Sequence, residues 1–355
     1  MTSLKSLIEQ RVASDGPMTM ADFMAECLLH PTLGYYTTAV PFGRDGDFIT
    51  APEISQMFGE LVGLCLAQAW LDQGAPAPFA LVELGPGRGT LMADILRATA
   101  RVPGLHAAMQ VHLVEVSPRL RHEQVRALAG IAVTHHDHLE TVPDLPLFLM
   151  ANEFFDALPV RQFLRSNAGW NERLIGLQQG QLGFGLSDQI PPSLLPERFE
   201  ATPPGTIVEI CPQAGSVMMD IGARLRKRGG LALIIDYGDW RSRGDTVQAM
   251  RHHAYVDLFD TPGQADVTAH VDFEALALAA QDVPHRYATQ GQFLIELGIQ
   301  ARAEILARKL TGPGLQNHLS ALRRLTHNAE MGTLFKVLAL FGPNAPAPAG
   351  FSVQD

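Results

Sequence analysis

The stretch FALVELGPGRGTLMADILR, residues Phe79–Arg97, decides the reading of the fold. A short apolar run broken only by Glu83 leads into three glycines, and the glycines lead into a helical pattern. A strand, a tight turn and a helix in that order form the first unit of a parallel, doubly wound sheet. The segments that follow keep the rhythm. MQVHLVEVS, a helix from Pro118 to Leu128, GIAVTHHD, DLPLFLMANE, a helix from about Ala214 to Arg228 and GGLALIIDYGD alternate apolar runs with helices.

Outward from this core the texture changes. Residues 1–75 read as an N-terminal helical cap, with helical patterns at Leu4–Val12, Thr19–Leu29 and Glu53–Leu71 around a long glycine-punctuated loop. Residues 76–160 and 206–340 read as the α/β core. Residues 161–205 are irregular and rich in Pro and Gly, so they read as an insertion after the fourth strand, with strands expected at Trp170–Leu177 and Thr206–Ile210. ADVTAHVDF alternates apolar and polar residues as a half-exposed strand would, and the basic run RLRKRGG at Arg224–Gly230 reads as a solvated helix end. The Pro/Ala-rich residues 341–355 are expected to form a flexible tail.

Composition removes several classes. The chain has 355 residues, 46% hydrophobic and 18% charged, enough for a sizeable core. A net charge of −10 argues against a general nucleic-acid binder, which needs a broad cationic face, and leaves open only a local basic groove. Three scattered cysteines, Cys27, Cys65 and Cys211, suggest neither a disulfide framework nor a metal site, and a reduced cytosol fits. His252, His253 and His270 lack zinc-ligand spacing, so no metal is expected. No stretch approaches the roughly 20 uninterrupted apolar residues of a membrane span, and the first residues lack a signal-peptide core, so the expectation is a protein neither exported nor inserted in a membrane.

Ligands of doubly wound sheets sit beyond the carboxyl ends of the strands, where VELGPGRG lies. A dinucleotide fingerprint would read GxGxxG; Gly85, Gly87 and Gly89 give GxGxG, preceded by Glu83 and including Pro86. A carboxylate there would repel a pyrophosphate but suits a ligand bearing an ammonium and a sulfonium, as S-adenosylmethionine does. Glu115 ends the next strand, 26 residues beyond Gly89, placed to accept hydrogen bonds from both ribose hydroxyls. Asp137 follows the third strand, where an adenine edge would be read. After the fourth strand come Asn152, Glu153 and Asp156, polar groups that would face the reacting methyl. Two carboxylates favour a cationic acceptor such as a guanidinium, which they can hold and deprotonate. In GRDGDFITAPEIS, length and acidity suggest a lid, with Asp47 and Glu53 lining an acceptor channel. Asp236 and Tyr237 are expected either to border the site or to form a plain strand-end turn, and Tyr35 and Tyr36 either to pack the cap onto the cofactor or to serve as simple core.

GYYTTAVPFGRDGDFITAPEISQMFGEL, VELGPGRGTLMADILR, LVEVSPRLR, ANEFFDALPVRQF, IDYGD, DVTAHVDF, GQFLIELGI and MGTLFKVL, taken in order, resemble the successive motifs of the MidA family over nearly the whole chain. The resemblance implies a class I (Rossmann-like) S-adenosylmethionine-dependent methyltransferase. It implies symmetric dimethylation of an arginine on the 49 kDa-type subunit of NADH:quinone oxidoreductase (complex I) during assembly. By the same resemblance Gly85, Gly87 and Gly89 match the cofactor loop and Glu115 the ribose-binding acid. Gly46–Thr50 match a GDF loop that folds over cofactor and acceptor, which makes Thr50 a cofactor-side residue. The start of the chain lacks an Arg- and Ser-rich amphipathic leader, so a bacterial, cytoplasmic member is expected, with mitochondrial-matrix relatives. The alternatives are a small-molecule methyltransferase with the same loop and an assembly chaperone that binds the cofactor without catalysis.

Overall fold

The structure, a computed structural model, describes residues 3–38 and 50–351. The chain forms two compact units: one comprises Ile49–Phe155, Gly215–Asp239 and Phe273–Asp355, the other Met1–Phe48, Asp156–Ala214 and Trp240–Asp272.

The first unit is built on strands β1 (Phe79–Leu84), β2 (Met109–Val114), β3 (Val133–His136), β4 (Leu147–Asn152), β5 (Gly230–Asp239), β6 (His285–Thr289) and β7 (Phe335–Phe341). Their order across the sheet is β6-β7-β5-β4-β1-β2-β3. Neighbours from β5 through β3 run parallel, whereas β7 lies antiparallel between β5 and β6. Order reverses beside β1, the switch point where a doubly wound sheet opens a crevice at its carboxyl edge. This is the class I methyltransferase sheet that the sequence predicts. Both faces are covered, so β1, β4 and β7 are buried at every position and carry no alternation.

The helix Gln56–Asp72 belongs with this sheet and not with the N-terminal helices. Gly59 and Gly63 explain why. A Cβ on Gly59 would stand 2.6 Å from Asp94 Cβ, and one on Gly63 3.0 Å from Ile95 Cα, so the bare backbone lets the helix lie directly on Thr90–Thr99. Phe58, Leu61, Val62 and Trp70 then pack with Leu91, Ile95, Phe79 and Phe148. Glu60, buried in this interface, receives Arg97 at 2.7 Å and both Nε and a terminal nitrogen of Arg302 at 2.7 and 3.0 Å, so its charge is compensated. Arg224 departs from the expected solvated helix end. It is buried and donates to the carbonyls of Val142 and Leu139 at 3.0 Å, while only Lys227 and Arg228 beyond it reach out to Asp144. Past β7 the expected tail keeps contact with the sheet unit: Phe351 stacks on Phe293 with ring centroids 5.2 Å apart, and Ala349 O accepts from Cys65 Sγ.

The second unit carries an antiparallel sheet of Met18–Thr19, Trp170–Gln178, Arg161–Arg165 and Ile207–Ile210, with Gln181–Ile190 as hairpin partner of Trp170–Gln178. The helices Leu4–Asp15 and Met20–Leu29 bury Leu4, Ile8, Val12, Phe23, Met24 and Cys27 in a core shared with Ile175, Val160 and Val267. The stretch read as an insertion therefore completes a core with the N-terminal helices. ADVTAHVDF corrects the half-exposed expectation: it splits into Asp266–Thr268 and Val271–Asp272, and residues 265–269 are buried on both faces. His270 lies between them, its amide donating to Thr246 Oγ1 at 2.9 Å. Tyr35 and Tyr36 stay within this unit, where Tyr36 Oη donates to Asp266 Oδ1 at 3.2 Å.

Gly63→Val tests the helix contact. Overpacking against the Ile95 backbone should cost about 1–3 kcal/mol, seen as a lowered Tm in thermal melts. An unchanged Tm would show that the two helices can part without loss.

Candidate cofactor and methyl-transfer site

β1 delivers Glu83 and then the glycine turn. Gly85, Gly87 and Gly89 have φ of +60°, +52° and +84°, left-handed backbone that side chains disfavour. At Gly85 space is also short, since a Cβ would meet Phe154 Cδ2 at 2.9 Å. The turn is closed by Gly89 N donating to Pro86 O at 2.8 Å, and Gly85 N donates to Val114 O at 3.0 Å. Gly89 has no side chain to cap the helix Thr90–Thr99 that begins after it. Glu83 lies behind it on the strand, where the Met92 amide, three residues into the helix, favours the carboxylate. Burial pushes Glu83 up to about 8, helped by the charge of Glu115, with the Met92 amide pulling the other way. Its Oε2 has no partner among the described residues.

The second acid ends β2. Glu115 is buried, its Oε1 accepting the Ser117 amide at 2.8 Å and its Oε2 accepting Gln124 Nε2 at 3.3 Å. Burial raises its pKa, and the bonds from Ser117 and Gln124 oppose the rise. Gln124 also donates to Gly87 O at 2.8 Å, tying Glu115 to the glycine turn. Sequence reading missed this residue. The available signal was a lone polar side chain on the buried stripe Leu120–Gln124–Leu128 of its helix. Asp137 is 68% exposed and takes Arg121 at 2.6 Å, and the same Arg121 donates to Glu115 O at 2.7 Å.

β4 ends on Asn152 and Glu153. Glu153 has φ +52°, a left-handed backbone on a non-glycine residue, with its amide donating to Ile235 O at 2.9 Å. Strain of this kind costs of order 1–3 kcal/mol and persists where it is held by its surroundings. Here it turns the carboxylate back onto Asn152, whose Nδ2 donates to Glu153 Oε1 at 3.0 Å, and onto the Ala51 amide at 3.3 Å. Burial pushes Glu153 up to about 7, against the pull of Asn152, the Ala51 amide and the Arg324 charge. Asn152 Oδ1 is buried and has no partner among the described residues.

Thr50 caps the short helix Ala51–Ile54 through its backbone without a side-chain bond, which leaves its hydroxyl free of the capping role. Glu53, expected to line an acceptor channel, is occupied elsewhere: Thr90 Oγ1 donates to its Oε1 at 2.6 Å and Arg88 stands 4.0 Å from Oε2. Ala51–Ile54 is thus fastened both to Glu153 and to the glycine-turn helix. Asp236, in the carboxyl half of β5, is fully buried and accepts the amides of Phe155 and Tyr237 at 3.0 and 2.9 Å, a backbone anchor. Asp156 falls in the second unit, buried, its carbonyl accepting the Ala269 amide at 2.9 Å. Asp47 lies outside the described residues.

These residues fit S-adenosylmethionine. Glycine backbone leaves room at the turn, and Glu83 Oε2 and Asn152 Oδ1 are buried acceptors that lack a donor among the described residues. Glu115 stands two strands from Glu153 across the carboxyl edge of the sheet. Among the described residues no group of His, Cys, Asp and Glu could hold a metal, and no helix is long and apolar enough to cross a membrane.

The raised Glu83 has a stability consequence. Its folded pKa of about 8 exceeds the ordinary 4.5, so between those values the native state holds the proton more tightly than the unfolded chain. Stability present at pH 5 is therefore lost as pH rises through 8. Glu83→Gln should melt near wild type at pH 5 and several degrees above it at pH 8 without ligand. A wild-type advantage at pH 8 would contradict an uncompensated carboxylate.

Residues 61–288 match the profile of a family of S-adenosyl-L-methionine-dependent methyltransferases. Bos taurus protein arginine methyltransferase NDUFAF7, mitochondrial, is 37% identical over 366 aligned residues, covering 93% of this chain and 81% of that protein. The Homo sapiens protein of the same name is 36% identical with the same coverage. A Burkholderia thailandensis crystal structure with bound S-adenosyl-homocysteine superposes with a TM-score of 0.83 at 28% identity, covering 98% of this chain and 93% of that one. The glycine turn, the two buried acids and these likenesses agree: the chain belongs to the S-adenosylmethionine-dependent methyltransferase family that includes the mitochondrial NDUFAF7 proteins.

Proposed function

We propose that this enzyme methylates an arginine of a protein, with symmetric dimethylarginine as product and the 49 kDa-type subunit of NADH:quinone oxidoreductase, met during assembly in a bacterial cytoplasm, as substrate. The observation that carries the reading is Glu153: a carboxylate turned back by left-handed backbone at the end of β4, with burial holding its pKa near neutrality. The relatives' names, protein arginine methyltransferase, supply the acceptor class.

A guanidinium keeps its proton in water because its pKa exceeds about 12, and protonated nitrogen is not a nucleophile. A carboxylate poised near pH 7 can orient the guanidinium through paired hydrogen bonds and take the proton as attack proceeds. The cofactor supplies an electrophilic methyl on a sulfonium. The guanidine nitrogen forms a bond to that carbon while the carbon–sulfur bond breaks, its electron pair staying on sulfur, and the nitrogen proton passes to Glu153. Glu115 would hold the ribose, Glu83 the cationic end, and Gly85–Gly89 the backbone cradle. Asn152, Asp156 and Asp47 are assigned to the acceptor side, Asp137 and Thr50 to the cofactor side.

Purified enzyme is incubated with methyl-labelled S-adenosylmethionine and extract of cells lacking the gene, and label is located by peptide mass spectrometry. The reading expects label on one arginine of the 49 kDa-type subunit. Glu153→Gln should bind S-adenosylhomocysteine normally yet lower kcat by about 10²–10⁴-fold. It should also remove the rise of wild-type kcat as pH passes about 7. Label confined to small molecules would overturn the acceptor assignment, and a wild-type rate in Glu153→Gln would overturn the role of that carboxylate.

A further inference from the structure

Gln124 is fully buried, and each end of its amide has a defined neighbour. Nε2 lies 2.8 Å from Gly87 O and 3.3 Å from Glu115 Oε2, both acceptors. Oε1 lies 2.9 Å from His135 Nε2. Reversing the amide would set its carbonyl against a carbonyl and a carboxylate, so the amide nitrogen must face Gly87 and Glu115. His135 must then carry its proton on Nε2. Burial and the nearby Arg121 and His136 keep the His135 pKa below its usual value, which favours that neutral ring. The Ser117 amide on Glu115 Oε1 and Gln124 on Oε2 hold the carboxylate by both oxygens. A carboxylate offers about four lone-pair sites, so it can still accept from a ligand.

We infer that Gln124, oriented by His135, is a positioning residue that locks Glu115 to the glycine turn and so sets the discrimination for the ribose diol of the cofactor. The inference rests on Glu115 holding the ribose, as proposed above. Gln124 bonds Glu115, the turn and His135, so its effect reaches the ligand through Glu115 and the turn. Loss of Gln124 frees Glu115 to rotate about its remaining Ser117 bond and releases Gly87, and the second hydroxyl contact then goes unmade.

Calorimetric affinities for S-adenosylhomocysteine and for its analogue lacking the ribose 2′-hydroxyl test this, in wild type, Gln124→Leu and His135→Phe. A hydrogen bond to a charged group predicts that wild type prefers the ribo ligand by about tenfold or more. Gln124→Leu should bind the ribo ligand more weakly and keep less than about a threefold preference. His135→Phe, at a half-buried position, should shift the preference the same way by a smaller factor. It also carries the test if Gln124→Leu does not fold. KM for S-adenosylmethionine should rise with kcat little changed. A merely structural Gln124 would weaken both ligands equally, and an undiminished preference in both variants would overturn the inference. Absence of any preference in wild type would instead overturn the assignment of Glu115, and the inference with it.

Discussion

The burial of the Glu83 carboxylate just before the glycine turn, beside the Met92 amide, is the constraint on which the rest of the site depends. The helix that follows Gly89 has no capping side chain of its own, so an acid on the strand stands behind its first turn. The turn then needs left-handed backbone at three positions and no Cβ toward Phe154, which only glycine at 85 provides. Glu83 Oε2, buried and without a partner among the described residues, holds an electrostatic demand that a cation can meet.

The same economy recurs along the carboxyl edge. Glu115 spends one oxygen on Ser117 and shares the other with Gln124, and Glu153 spends Oε1 on Asn152 and Ala51. Three carboxyls, Glu83 and Glu115 buried and Glu153 half-buried, all pushed toward the neutral form chiefly by desolvation, are unusual unless function calls for them. Preorganised acids cost stability in the free protein and return it when positive charge is bound. That is the physical reason a cofactor bearing an ammonium and a sulfonium belongs here and a pyrophosphate does not.

Much of this was legible in the residues. FALVELGPGRG fixes strand, turn and helix by composition alone, and Glu115 and Glu153 follow from where the next strands end. Other features left no local trace. β7, FKVLALF, is buried at every position and apolar at all but Lys336, so its antiparallel place between β5 and β6 depends on sheet neighbours far away in sequence. The helix Gln56–Asp72 looked like part of a cap because Gly59 and Gly63 reveal their purpose only once Thr90–Thr99 is seen against them. Gln124 reads as an ordinary helix residue, and Arg224 as a solvated charge, until burial shows what each one bonds. Glu53 and Asp236 were noticed for the right reason, being acids near strand and helix ends, but their oxygens are engaged by Thr90 and by backbone amides.

The central claim is that the free site holds protons on buried acids which the cationic cofactor displaces. Titration calorimetry of S-adenosylmethionine at pH 7.5 in buffers of differing ionisation enthalpy counts those protons directly. Net proton release on binding, seen as a slope of observed enthalpy against buffer enthalpy, is the predicted result, because a cation beside Glu83 favours its carboxylate. A slope of zero, or proton uptake, would contradict the account.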